Sequence, residues 1–310
     1  MNTGISCEIG PSGAMASRQL QRLALAACLL AVCFARPLWQ LITFACHSQF
    51  FSYIPLVPVI TVYLIWCDRR RLKIEDLRPC WPGAALGLLA GGAMIAAYWI
   101  GRHGGWKLVR QDYLTLMTLA WLCCFWGLCL AMLGAKLSAR VAFPLAFLIF
   151  AVPMPVLWQD HIDTFFQYTS AAAAEGFCDV AREPVLREGL SLHLSGFSVR
   201  VAPECSGIHS TLVLLMTSLL AGYLFLQRFW TRAVLVLFVV PLAILRNGFR
   251  VFVIGWLCVH ISPKMIDSPI HHHGGPIFFA LSLVPFFLLL FFLRKWDSRA
   301  SEASKPQPES

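Results

Sequence analysis

Cys205, Arg250 and a run of histidines have the types and the spacing to do chemistry together in this 310-residue chain. Cys205 stands in "APECSGIHS" (202–210), ahead of the apolar run "TLVLLMTSLLAGYLFL". Arg250 lies inside a second apolar run, at the end of "RNGFR" (246–250). His271, His272 and His273 precede a third, and His209 follows Cys205 by four residues. A thiolate, a guanidinium and an imidazole are the parts needed for thiol acyl transfer. The thiolate attacks a carbonyl carbon. The imidazole takes up a proton and delivers it to the leaving amine. The guanidinium donates hydrogen bonds to the tetrahedral oxyanion. Cys205 precedes a helix start, where unpaired N–H groups favour an anion, and Arg250 acts in the same sense. Glu204 opposes both. Ser206 and Gly207 are small enough for backbone N–H groups and a substrate to approach closely.

Each residue also has an ordinary reading. A cysteine in an apolar chain is a small hydrophobe. An arginine near a helix end can snorkel to the interface. Three adjacent histidines cannot all face one point and can simply make a polar turn. What weighs against these readings is joint placement, which depends on the elements that carry the residues.

The chain is 58% hydrophobic and 13% charged, with a mean hydropathy of +0.68. Charged residues make up about a quarter of an ordinary soluble domain, so this composition predicts an all-α polytopic membrane protein. Apolar runs of spanning length fall near 23–46, 50–67, 82–100, 113–133, 140–158, 206–226, 232–258 and 275–293, predicting about eight transmembrane helices. Residues 1–22 read as a disordered cytoplasmic tail, 23–297 as the membrane domain and 298–310 as a second tail. Between the fifth and sixth spans, residues 159–204 are mixed in polarity and read as an extracytoplasmic insert of a helix plus short strands. Alternation of Leu190, Leu192 and Leu194, then Phe197, Val199 and Val201, gives two strands punctuated by Gly189 and Gly196. Open strand edges are unstable in lipid, which puts this piece at the membrane surface.

The net charge of +9 is a topology signal, with no nucleic-acid-binding pattern behind it. With eight spans, the two tails and the loops on their side carry fifteen Lys and Arg, the opposite loops seven, and three lie within apolar runs. The bias places both termini in the cytoplasm. The twelve cysteines include no CxxC pair, most lie in apolar runs, and no ligand spacing points to a metal or another cofactor. In this topology Cys205 is at the outer start of span six. Arg250 lies about 27 Å along span seven from Arg232, and the histidine triplet precedes span eight. All three reach one extracytoplasmic level.

These segments resemble the exosortase/archaeosortase family of membrane cysteine transpeptidases. The resemblance runs over about residues 45–295, through "FPLAFLIFAVPMPVLW", "GLSLHLSGFSVRVAPECSG", "PLAILRNGFRVFVIG" and "HHHGGPIFF". Its specific element is the ordered set CSG, N-x-x-R and H-x-x-x-G ahead of an apolar span. The resemblance implies that Cys205 is the nucleophile, Arg250 the essential arginine and Asn247 the family asparagine. It also implies that His271 is the family histidine, with Gly275 four residues on; His272 and His273 keep that assignment open by one or two positions. Many relatives carry arginine four residues after the cysteine where this chain has His209. That residue shares a helix face with Cys205 and competes for the role of base. The implied partners are exported proteins bearing a C-terminal sorting signal: a short motif, often Pro-Glu-Pro, then a transmembrane helix and a basic cluster. The implied reaction is cleavage near the motif through a Cys thioester, followed by transfer to an unknown acceptor or release. The implied location is the bacterial inner membrane. Two other readings compete. A transporter would line its path with the intramembrane Arg and His, and a haem protein would need facing histidines at one depth.

Overall fold

A computed structural model describes residues 11–48, 50–69, 78–105, 108–201, 207–262 and 275–302. The chain divides into two compact units, residues 1–156 and 157–310. The described residues form ten α-helices and one small antiparallel sheet.

The first unit holds α1 (Pro11–Cys33), α2 (Ala35–His47), α3 (Leu56–Asp68), α4 (Trp81–His103), α5 (Arg110–Arg140) and α6 (Ala142–Phe147), followed by a 3-10 turn at Leu148–Ala151. Helix α1 starts well before the apolar run, so helical structure extends into the segment read as a tail. The apolar run at 23–46 is not one straight helix: α1 and α2 meet at Phe34 with a 77° bend. Pro37 explains the break, because it has no N–H to bond the carbonyl of Cys33. Helix α3 follows Pro55, carries Pro58 in its first turn and has only 13 residues. That is about 20 Å of helix, short of a hydrocarbon core of about 30 Å. Helices α4 and α5 pack closely through glycine: a Cβ on Gly87 would lie 2.7 Å from both the carbonyl oxygen of Cys123 and the Cα of Gly127. On α4, Trp81 and Trp99 are both exposed and lie about 27 Å apart along the axis, the spacing of two interfacial aromatic belts.

In the second unit, α7 (Val156–Ala181) ends where Arg182 adopts a left-handed φ of 60° and Pro184 follows. Three strands come next: β1 (Val185–Glu188), β2 (Ser191–Leu194) and β3 (Phe197–Arg200), paired antiparallel in that order. Two of the three were legible; β1, with sequence VLRE, has too little apolar alternation to stand out. Leu192 pairs with Val199 across the sheet. One sheet face buries Leu192, together with Val201 just past β3, against Ala171 and Ala174 of α7 and Val251 of the later helix Phe229–His260. Glu175 of α7 holds Arg187 of β1 at 2.6 Å.

Helices α8 (Ile208–Phe225), α9 (Phe229–His260) and α10 (Gly275–Glu302) complete this unit. Their shared core includes Leu214, Leu235, Val239, Phe286 and Leu290. Pro241 and Pro285 sit inside α9 and α10 without ending them, as membrane helices tolerate where neighbours satisfy the freed carbonyls. The α8–α9 turn is secured from α10 by a buried carboxylate. Asp297, 6% exposed, accepts the backbone N–H groups of Gln227 at 2.5 Å and Arg228 at 3.2 Å. Removing it strands two donors at the start of α9. Asp297→Ala is therefore expected to lower stability by about 2–4 kcal/mol, read as a fall in thermal midpoint in detergent. Asp297→Asn, which keeps one acceptor, loses less. An unchanged midpoint in Asp297→Ala would remove this carboxylate from the account of the turn.

Five helices among the described residues are long and apolar enough to cross a membrane: α4, α5, α8, α9 and α10. The number rises to seven if α1–α2 counts as one span and Ala142–Ala151 with Val156–Ala181 as another. The described residues thus give five to seven candidate spans for the eight apolar runs of the sequence, and proline accounts for the difference. Pro37 breaks the first run, Pro153 and Pro155 interrupt the fifth, and α3 is too short to count by length.

Candidate active site

Helix α8 begins at Ile208, with Gly207 as its N-cap in a left-handed conformation, φ 72° and ψ 12°. No side chain caps this end. The Gly207 carbonyl instead gathers donors: the N–H of Thr211 at 3.0 Å, its hydroxyl at 2.8 Å, the hydroxyl of Ser210 at 2.9 Å and the guanidinium of Arg246 at 3.2 Å. Thus the last residue of the CSG motif is held directly by α9. A Cβ on Gly207 would lie 2.9 Å from Oδ1 of Asn247 and 3.1 Å from Nη2 of Arg246. Glycine is required twice over here, by the backbone sign and by the close approach.

Asn247 is 2% exposed, and its amide donates to the hydroxyl of Ser170 on α7 at 2.9 Å. One residue on, Gly248 lets α7 come close: a Cβ there would sit 2.5 Å from Cβ of Ala173. Gly207, Asn247 and Ser170 therefore form a short stack that joins α8, α9 and α7 at one level. Arg250 is half-buried one turn beyond Arg246 on the same face of α9. Its neighbour Val251 lies under the sheet. His209 is half-buried in the first turn of α8.

Of the residues singled out in the sequence, the structure brings Gly207 and Asn247 into contact and puts Arg250 one turn further along α9. Cys205, Ser206, His271, His272 and His273 lie outside the described residues. In the chain, Cys205 stands between Val201, 1% exposed beneath the sheet, and Gly207, pinned to α9. Sequence reasoning passed over Arg246, Ser170 and Gly248. Arg246 carries a signal, a charge inside an apolar run, which it shares with Arg250. Ser170 had none, because a serine in an alanine-rich helix looks like any other small residue. None of the described cysteines is in a disulfide. Among the described residues no three His, Cys, Asp or Glu side chains gather as metal ligands would.

Gly207→Ala tests this geometry. Left-handed φ costs an L-residue about 1–2 kcal/mol, and the new methyl must displace Asn247 or Arg246. The expected outcome is a loss on the order of 10²-fold in turnover from a small misplacement two residues from Cys205, with membrane abundance retained. Turnover equal to wild type would show that the hold on Gly207 is dispensable.

The family model for the transmembrane exosortase (Exosortase_EpsH) matches residues 39–288, which takes in the CSG, N-x-x-R and H-x-x-x-G motifs. The chain belongs to the transmembrane exosortase family. No match was found among curated proteins or among solved structures. Exosortase membership together with the long apolar helices makes this a multi-pass membrane protein with a general role in transpeptidation and protein sorting.

Proposed function

We propose that this exosortase is a cysteine peptidase or transpeptidase that processes the C-terminal sorting signal of exported proteins at the outer membrane interface. Cys205 is the nucleophile. Its thiolate adds to the carbonyl carbon of the scissile peptide bond, and Arg250 donates to the oxyanion that forms. The C–N bond then breaks, and His271 delivers a proton to the leaving amine. The product is a thioester on Cys205, which an acceptor nucleophile or water resolves. His209 is the competing base, on the same helix as the motif.

One observation supports this reading most: Gly207 of the CSG motif is pressed against Arg246 and Asn247, so the segment carrying Cys205 meets α9 at the N-x-x-R motif. The beginning of α8 at Ile208 supports it too, because a helix start stabilises a nearby thiolate. A substrate anchored by its own transmembrane helix arrives at fixed depth, which supplies part of the positioning. Family membership favours this sorting role over transport. The site is read as extracytoplasmic, in the bacterial inner membrane, from the basic-residue asymmetry.

The test is co-expression with a reporter ending in Pro-Glu-Pro, a transmembrane helix and a basic cluster, following its size and its release from the membrane. The expected outcome is a shortened reporter that depends on Cys205. A reporter of unchanged size beside abundant enzyme contradicts the reading.

A further inference from the structure

We propose that a polar cavity between α4 and α5 binds the phosphate headgroup of an anionic phospholipid, held there as a ligand and not consumed. The inference belongs to the first unit alone and does not depend on the transpeptidase reading. The cavity measures about 410 Å³ and is lined by Tyr98 and Arg102 of α4, Arg110 and Tyr113 of α5, and Leu108 just before α5. That size falls within the roughly 300–1,000 Å³ of ordinary ligand sites. A terminal nitrogen of Arg102 donates to the Tyr98 hydroxyl at 3.0 Å, which uses a lone pair of that oxygen and leaves its proton to donate elsewhere. The Tyr98 and Tyr113 rings pack with centroids 5.0 Å apart. Arg110 lies over the ring of Phe44 of α2, 5.9 Å from its centroid. Arg36, also of α2, acts electrostatically on Tyr113. Three guanidiniums and two phenols thus meet at one place.

No carboxylate answers these charges among the described residues, where the ion pairs involve Arg187, His193, Arg228 and His260. The acid nearest in sequence, Asp112, accepts the backbone N–H of Val156 at 3.0 Å. Nor is the cluster a by-product of a basic face. The loops read as lying on this side carry seven Lys and Arg against fifteen on the other, yet Arg102 and Arg110 gather here and Arg36 joins them from inside an apolar run. Like charges brought together at a membrane are costly, and the cost falls when an anion joins them. Depth identifies the source of that anion. Trp99, next to Tyr98 and exposed, marks the interfacial belt at this end of α4, the level at which lipid headgroups lie. Guanidiniums fork onto phosphate oxygens, and tyrosine hydroxyls donate to them. A zwitterionic headgroup would bring a cation to a cavity already beside three, with no carboxylate in its lining to receive it. The ligand is therefore a phospholipid of net negative charge, such as a phosphatidylglycerol. An arginine that merely snorkels needs neither a cavity nor a hydroxyl partner.

The test is retention of a single lipid by the full-length protein in detergent, read by native mass spectrometry and by the thermal midpoint. Dioleoyl phosphatidylglycerol is expected to bind at least about 10-fold more tightly than dioleoyl phosphatidylcholine, and to raise the midpoint where phosphatidylcholine does not. Each arginine near an anionic headgroup adds roughly 5-fold, so Arg102→Gln and Arg110→Gln together should weaken binding by about 10- to 30-fold. Both arginines are exposed, so the double variant should still fold. Tyr98→Phe keeps the ring, removes one hydroxyl donor and should cost about 3- to 10-fold. Arg200→Gln, which removes an exposed arginine from β3, should leave binding unchanged. Equal binding of the two lipids by wild-type protein overturns the proposal without any variant. So does a double variant that binds phosphatidylglycerol as wild type does. A loss in Arg200→Gln as large as that of the double variant overturns it too, by making the effect one of general charge. Inorganic phosphate and glycerol 3-phosphate separate the possible sources of the phosphate. Neither is expected to displace the lipid at equal concentration, and displacement by either would overturn the lipid assignment in favour of a soluble phosphate.

Discussion

Cys205→Ala is expected to leave no detectable reporter processing, a loss of at least about 10⁴-fold, with the protein still present in the membrane. Removing a covalent nucleophile leaves only binding and oxyanion stabilisation, and these alone do not sustain useful turnover. Cys205→Ser should fail as well. A hydroxyl is far less acidic than a thiol, so neither the start of α8 nor a nearby guanidinium can bring it to a reactive anion at neutral pH. The other cysteines provide the comparison. Cys124 and Cys258 are buried inside spans and outside any disulfide, and alanine at either should leave processing largely intact.

Arg250→Lys is expected to lower kcat by about 10²–10³-fold, the usual consequence of losing an oxyanion donor. The charge survives this substitution, but the fork does not. A guanidinium offers two parallel donors in a fixed plane, and an ammonium is a point charge on a flexible stem. If Arg250 acts only on the transition state, kcat and kcat/KM should fall together. Kinetics close to wild type in Arg250→Lys would reduce this arginine to an interface anchor. Arg246 is placed differently on α9. It lies at Gly207, whereas Arg250 lies a turn further along, beside Val251 and the sheet.

The membrane class of this chain was legible in composition, because no soluble core hides so much apolar surface. The three helices that matter most, α8, α9 and α10, were legible as long apolar runs. The elements that went astray contain prolines or charges. Pro37 turned one apparent span into a 77° bend, and hydropathy averaged over a window is blind to that. Strand β1 was missed because Arg187 and Glu188 interrupt the alternation that revealed β2 and β3. In the site, the motifs named Gly207, Asn247 and Arg250, and the structure gives Gly207 and Asn247 a shared contact. Arg246, Ser170 and Asp297 were not legible in their roles. Each is defined by a partner distant in sequence: Gly207, Asn247, and the N–H groups of Gln227 and Arg228. Local pattern carries no record of such pairings.

The central claim is a covalent bond between Cys205 and the substrate, and trapping that bond tests it most directly. Wild-type enzyme acid-quenched during turnover of the Pro-Glu-Pro reporter is expected to carry the acyl group, whereas His271→Ala, slowed in the acylation step, should carry less. Intact-mass analysis should then show the enzyme plus the N-terminal portion of the reporter. The acyl group should map to the peptide containing Cys205, and hydroxylamine should release it as expected of a thioester. Cys205→Ala carrying the same adduct, or processing the reporter at the wild-type rate, would contradict the account.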